Sequence, residues 1–326
     1  MLIYKNEFKK FIVNYKNCLI LGGGGFIGSH LCDELIKNDY NVTIFDKLNF
    51  SHKNIQHNID KIKIIEGDFN NEIDIKNSLK NVDVIYHLVS STLPAMSNEN
   101  PVYDVETNLV STLKFIDEAI KQKVKKIIFI SSGGTIYGIP DKIPIKENQF
   151  GNPICSYGII KKTIEEYLFM FYKLYNLDYY VFRMSNPYGE RQNPLLAQGV
   201  IPVFLNKLVN KKKIEIWGDG SVTRDYIYIK DAVKVLVKSL NYKTEDKIFN
   251  LSTGIGTDLK NLISIIEKIT NVKPDVIYKD KRNIDININV LDNSLIKKVF
   301  DWNIETTLEE GIKNTYEFIK KEFTEN

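Results

Sequence analysis

Tyr157 and Lys161 stand four residues apart in the helically spaced stretch Ile154 to Tyr175, so both lie on one face of that helix. An ammonium ion beside a phenol favours the phenolate and lowers its pKa. A phenol tuned in this way can take a proton from a substrate hydroxyl while hydride leaves the same carbon. The spacing alone is weak evidence in a chain with 18 Tyr. Its position gives it weight, because it follows Ser131-Ser-Gly-Gly-Thr135 by one strand–helix unit.

A second motif could hold the hydride acceptor. Gly22-Gly-Gly-Gly25-Phe26-Ile27-Gly28 follows an apolar strand signal and opens a helical one. A chain that must turn tightly and let a pyrophosphate approach its backbone needs glycine there. The helix that follows would present free N–H groups and its positive dipole end to the phosphates. The spacing of Gly22, Gly25 and Gly28 is GxxGxxG. Asp46 ends the second strand, where a carboxylate can accept both hydroxyls of an adenosine ribose and would repel a 2′-phosphate. No Arg follows it, although Lys47 does. The expected cofactor is therefore NAD rather than NADP. Asp68 and Phe69, after the third strand, would sit beside the adenine.

These residues need a scaffold, and the chain supplies alternating strand and helix signals. Strands read at Cys18–Leu21, Asn41–Phe45, Lys61–Ile65, Val82–Tyr86, Lys126–Ile130 and Tyr179–Phe182, and helices at Phe26–Asp39, Ile73–Leu79, Val102–Gln122 and Ile154–Tyr175. Such alternation predicts an α/β fold with a parallel sheet covered on both faces. After Asn186 the spacing becomes irregular. Short strands at Ile214–Trp217, Lys247–Leu251 and Asp275–Tyr278 mix with helices near Val200, Asp231, Asp258 and Leu308. The predicted division is 1–185, with 1–16 a short helical lead-in, and 186–326, the second part packing on the first across a cleft.

The chain has 326 residues, 43% of them hydrophobic and 26% charged, which fits a folded globular protein rather than a disordered or fibrous one. The net charge of +3 is too small to predict a nucleic-acid or acidic-membrane partner. No apolar run reaches the ~18 residues of a membrane span. The three cysteines, Cys18, Cys32 and Cys155, form neither a CxxC pair nor a metal-ligand spacing. No metal is expected, and a reducing, cytoplasmic setting is.

Gly22–Gly28, Asp46, Asp68, Ser131-Ser132, Tyr157-xxx-Lys161 and Asn186-Pro-Tyr-Gly189 together resemble the extended short-chain dehydrogenase/reductase superfamily. Within it the chain looks most like nucleotide-sugar epimerases of the UDP-galactose 4-epimerase type, from about Asn17 to the C-terminus. The resemblance implies a Rossmann-type doubly wound sheet with a smaller α/β substrate-binding C-terminal domain. It implies NAD held by Gly22, Gly25, Phe26, Ile27, Gly28, Asp46, Asp68, Phe69, Leu88, Val89, Asn108, Tyr157, Lys161 and Pro187. Trp217-Gly-Asp-Gly-Ser-Val-Thr-Arg224-Asp225 resembles the substrate loop, so Arg224 would bind the nucleotide diphosphate and Trp217 would pack on the base. Arg282 and Asp285 match a later pair holding phosphate and ribose. Asn186 and Gly199-Val200 match diphosphate contacts. The implied reaction is 4-epimerisation of a UDP-sugar through a 4-keto intermediate, serving surface polysaccharide precursors. The alternatives are a 4-keto-sugar reductase, a 4,6-dehydratase, or a silent NAD-sensing protein.

Gly133 departs from that pattern, because the family usually carries a serine there. A hydroxyl is still needed beside Tyr157, with Thr135 the first candidate and Ser132 the second. The resemblance also places Asn289 in the sugar pocket, where a bulky Tyr is associated with exclusion of N-acetylated sugars. Acceptance of UDP-N-acetylhexosamines is therefore expected. A homodimer is expected too, built on the helices 102–122 and 154–175 with Leu168, Phe169 and Phe171 facing outward.

Overall fold

Alternate residues of the first strand point to opposite faces, and both faces are buried. Cys18 and Ile20 join one hydrophobic core while Leu19 and Leu21 join the other, as a central strand of a doubly covered sheet requires. The computed structural model describes residues 15–92, 96–196, 198–280 and 286–324. Most of the expected lead-in at 1–16 lies outside them.

The first half runs β1 (Asn17–Leu21), α1 (Phe26–Lys37), β2 (Asn41–Asp46), β3 (Ile62–Glu66), α2 (Glu72–Ser78) and β4 (Val84–His87). It continues through α3 (Pro101–Asp104), a π-helical segment (Val105–Val110), α4 (Ser111–Lys121), β5 (Lys126–Ser132), α5 (Ser156–Tyr175) and β6 (Asp178–Met184). The helix expected over 102–122 is thus three pieces with a π segment inside, a feature often found near functional sites.

The second half holds β7 (Asn186–Tyr188), α6 (Val200–Val209), β8 (Ile214–Trp217), β9 (Thr223–Tyr228), α7 (Ile229–Lys238) and β10 (Ile248–Leu251). It ends with β11 (Gly256–Asp258), α8 (Leu259–Thr270), β12 (Val276–Lys279), β13 (Ile288–Asn289), α9 (Ser294–Phe300) and α10 (Leu308–Phe323).

Seven parallel strands form the main sheet in the order β3-β2-β1-β4-β5-β6-β10. The architecture is the Rossmann-type doubly wound sheet. The chain leaves β1 toward β2 on one side and later returns to β4 on the other. The crevice at their carboxyl ends is the switch point where such sheets bind ligands. One core cluster joins β1 to α1 and α7, and the other joins it to α2, α4 and α5. The seventh strand, β10, comes from beyond residue 186, so the C-terminal part of the chain re-enters the first layer. Smaller sheets, β11-β9-β13 with β7 on β9, and β12-β8, complete the second layer.

Along α5, Leu168 and Phe171 are 1% and 9% exposed and belong to the core. Expecting both of them to face outward was therefore wrong. The outward apolar residues are Ile159, Phe169, Met170, Leu174 and Tyr175, with Val102, Tyr103, Val105 and Val110 on the α3–α4 run. A single apolar side chain in a run of three (Leu168-Phe169-Met170) cannot be assigned a face by hydrophobicity alone, because the 100° step leaves two of them near the boundary.

Candidate active site

The glycine loop packs too tightly for side chains at three of its positions. A Cβ on Gly23 would stand 2.6 Å from Ile44, one on Gly24 2.2 Å from Phe50, and one on Gly28 2.4 Å from the Gly22 carbonyl oxygen. Gly25, the N-cap of α1, is exposed and meets nothing closer than 3.4 Å. No side chain caps α1, and no acidic residue occupies its first turn. Its free N–H groups and dipole therefore suit a pyrophosphate. Gly22, Gly25, Asp46, Asp68, Phe69, Leu88 and Val89 all line one cleft of about 970 Å³. Asp46 accepts the Gly24 N–H at 2.9 Å and the Lys47 N–H at 2.9 Å. Burial raises its pKa, against those two hydrogen bonds. Asp68 is held by Asn70, whose backbone N–H and side-chain amide both donate to it. Phe26 and Ile27 form the first turn of α1, where Phe26 packs edge-on against His30 at 5.9 Å. The cradle fits a dinucleotide.

Tyr157 and Lys161 share a recess with Val89 and Ser90, and these two also line the large cleft. Tyr157 and Lys161 thus adjoin the large cleft. The Lys161 ammonium donates to the Ile130 carbonyl oxygen at 3.1 Å and lies 5.5 Å from the Tyr157 ring centre. The expected lowering of the phenol pKa does not occur in this state. Burial pushes Tyr157 up to about 12, and the charges of Cys155 and Asp104 add to it. Burial likewise lowers Lys161 to about 8, against the pull of Glu165 and Asp104. Desolvation is the largest influence here, and the Lys161 ammonium donates to Ile130 rather than to the phenol.

The loop after β5 explains its own odd sequence. A Cβ on Gly133 would stand 2.3 Å from Leu291 Cδ1 and 3.2 Å from two backbone oxygens. Leu291 thus occupies the volume of the usual serine side chain. We expect Gly133→Ser to lose about 1–3 kcal/mol of stability through overpacking, read as a lower denaturation midpoint, rather than to gain activity. The Thr135 hydroxyl is buried and has no hydrogen-bond partner. The Thr135 carbonyl lies 2.9 Å from where a Cβ on Gly158 would stand, so the residue packs on the first turn of α5 beside Tyr157. Ser132 is half-buried at the end of β5. Ser131 is engaged elsewhere, donating to Glu165 at 2.6 Å. Glu165 also pairs with Arg183 at 2.6 Å, and Arg183 donates to the Tyr137 hydroxyl at 2.9 Å. That buried network fastens β5, α5 and β6 under the site.

Asn186, Gly199, Val200, Trp217 and Arg224 line a second pocket of about 320 Å³. Pro187, expected at the cofactor, also lines this pocket. β7 turns away from the main sheet to pair with β9, in the register Pro187 against Ile227, which draws it to the second layer. The Arg224 guanidinium donates to the Thr223 and Ile286 carbonyl oxygens at 2.9 and 2.7 Å. Asn186 donates to the Asp225 carbonyl oxygen at 3.0 Å. Trp217 is 37% exposed with the Lys279 ammonium 5.3 Å from its ring centre. Arg282 and Asp285 lie outside the described residues. Asn108 faces the recess of Tyr157 and accepts the Ser91 N–H at 2.8 Å. Asn289 is 1% exposed and donates to the Gly133 carbonyl oxygen at 3.1 Å, while its own side-chain oxygen is buried without a partner.

Sequence reasoning missed the Tyr226 hydroxyl and the Gln192 amide oxygen. Both are buried without partners, Tyr226 lines the second pocket, and Gln192 abuts Gly199. It also missed Phe50, Asn54, Ser90, Ser91 and Leu196 in the cleft. Only the alternation of β9, which aims Tyr226 to the same face as Arg224, was a usable signal.

The family model of NAD dependent epimerases and dehydratases matches residues 18–252, well over half of the chain. The chain belongs to that family. This epimerase/dehydratase family member is similar to the Thermotoga maritima UDP-glucose 4-epimerase solved with UDP-glucose. The two are 35% identical at a TM-score of 0.88, covering 94% of this chain and 99% of that one. A UDP-N-acetylglucosamine 4-epimerase from Methanobrevibacter ruminantium, solved with UDP-N-acetylmuramic acid, is 31% identical at a TM-score of 0.88, with coverage of 95% and 99%. The dTDP-4-dehydro-6-deoxyglucose reductase of Escherichia coli is 34% identical over 93% of this chain and 97% of its own length. The family is NAD-dependent, as the uncapped helix and Asp46 lead one to expect. No helix among the described residues is long and apolar enough to cross a membrane. No group of three or more metal-ligating side chains among them is placed to hold a metal ion.

Proposed function

We propose that this family member is a UDP-sugar 4-epimerase. The observation that carries the reading is the recess joining Tyr157 and Lys161 to the cofactor cleft through Val89 and Ser90. The likeness to two 4-epimerases over nearly the whole chain supports it. NAD, held by the glycine loop and Asp46, supplies the acceptor of the C4 hydride and its return. Tyr157 takes the proton from the 4-hydroxyl and gives it back. Lys161 supplies positive charge for the phenolate, and Thr135 holds the sugar oxygen. Arg224, Asn186 and the backbone at Gly199-Val200 hold the diphosphate by charge-assisted hydrogen bonds. Trp217 packs on the base. Holding the sugar in reach supplies the remainder of the rate. The test is incubation with UDP-glucose and no added cofactor, followed by NMR. The reading expects UDP-galactose to appear. A second reading, a 4-keto-sugar reductase, draws support from the Escherichia coli relative, and would show instead as consumption of added NADH by a 4-keto substrate.

Asn289 is part of this proposal. Its small side chain and unpartnered amide oxygen can accept an acetamido N–H. Wild type is expected to turn over UDP-N-acetylgalactosamine as well as UDP-galactose, and Asn289→Tyr to lose the acetylated substrate by about tenfold or more in kcat/KM. Equal losses for both substrates would contradict this.

We further propose a homodimer built on the exposed apolar residues of the α3–α4 run and α5. Light scattering at micromolar concentration is expected to give twice the chain mass.

A further inference from the structure

The N-terminus of α5, which carries Tyr157, has no oxygen cap of its own. Its N-cap residue is Cys155, whose thiol is a weak acceptor facing the Gly158 N–H. The first turn is held from across the chain instead. The Ser156 N–H donates to the Asn98 side-chain oxygen at 2.9 Å, and the Tyr157 N–H to the Ser97 hydroxyl at 3.1 Å. Ser97 is fully buried. The Ser156 hydroxyl donates to Asp104 Oδ2 at 2.7 Å.

Asp104 is 1% exposed. Its other oxygen accepts from the Asn108 amide at 2.8 Å and from the Thr92 hydroxyl. Asn108 in turn accepts the Ser91 N–H, and Ser91 lines the cofactor cleft. No Lys, Arg or His among the described residues forms an ion pair with this carboxylate. A buried carboxylate is costly unless it is hydrogen-bonded, and its three donors come from three separate elements. One is the cleft loop, one is the π segment, and one is the start of α5.

We propose that Asp104 is a positioning residue that clamps the cofactor-side loop at Thr92 to the first turn of α5, fixing where the Tyr157 phenol stands relative to the cofactor. The inference deepens the epimerase reading and rests on it for its kinetic part. A displacement of ~1 Å at a reacting group can cost 10²-fold in rate, so a clamp this close to Tyr157 acts on kcat. Asp104 lines the recess of Tyr157 and Lys161, but both its oxygens are taken by Thr92, Asn108 and Ser156, so its loss is expected to act on kcat more than on KM. Its charge also acts on Lys161, whose proton it helps to keep.

The test compares Asp104→Ala, Asp104→Asn and Ser156→Ala, each purified with its bound NAD, using UDP-glucose. Asp104→Ala is expected to lower kcat by about tenfold or more with NAD content unchanged and KM within about threefold. Asp104→Asn should recover most of that loss, because its oxygen can accept from Thr92 and Asn108 and its amide can donate to Ser156. Ser156→Ala should lie between the two. Amide hydrogen exchange in the peptide over 155–158 should speed up in Asp104→Ala and return in Asp104→Asn. A kcat for Asp104→Ala near that of wild type, an Asn variant as slow as Ala, or unchanged exchange at 155–158 would each overturn the clamp. If Asp104→Ala does not fold, Asp104→Asn and Ser156→Ala decide by the same readouts. A wild type inert toward UDP-sugars would sink the epimerase reading, and the exchange measurement would still judge the clamp.

Discussion

Replacing Tyr157 by Phe is expected to lower kcat by about 10²–10⁴-fold, the usual worth of a positioned general acid–base group. Binding should survive. The ring occupies the recess beside Val89 and Ser90, and Phe keeps that packing. The lost group is a hydroxyl whose pKa burial pushes up to about 12. Lys161, lowered to about 8 by burial, retains its charge at neutral pH. NAD released on denaturation should match wild type in amount, and the dissociation constant for UDP should be unchanged. A variant with wild-type turnover would remove Tyr157 from the chemistry. A variant that loses NAD as well would assign the residue to cofactor retention instead.

Thr135→Val should separate activity from stability. A buried hydroxyl without a partner costs about 1–3 kcal/mol, and Thr135 carries one beside the start of α5. Val is close in shape and removes the unsatisfied atom, so the denaturation midpoint should hold or rise. If this hydroxyl holds the sugar oxygen, kcat should fall by about 10²-fold, as when one preorganised donor is removed from a reacting site. Ser132→Ala is the control and should fall far less. Should Ser132→Ala prove the slower variant, the third member of the site is Ser132. A Thr135→Val variant that is both less stable and fully active would make Thr135 a packing residue.

The alternating half of the chain was legible because each buried strand is a short apolar run closed by glycine or a polar residue, as at Cys18–Leu21 and Asn41–Asp46. The lining of the large cleft was legible for the same reason, since its residues lie at consecutive strand ends along the switch point. Other features are tertiary and left no trace in local spacing. Leu291 fills the space at Gly133 from 158 residues away, and no pattern near either residue announces it. Nor could the phenol's raised pKa be read from a four-residue spacing, because it depends on burial and not on sequence distance. Pro187 lines the second pocket because strand β7 pairs with β9 rather than extending the main sheet. The clamp on Tyr157 joins Thr92, Asp104 and Ser156, three residues brought together by the loop and helices between β4 and α5.

The central claim is that hydride leaves C4 and returns to the same carbon while Tyr157 handles the proton. UDP-glucose labelled with deuterium at C4 tests it most directly. After incubation in ordinary water with no added cofactor, the account predicts UDP-galactose with the deuterium still at C4. Deuterium lost to solvent, or no epimer from any UDP-sugar tried, would contradict it.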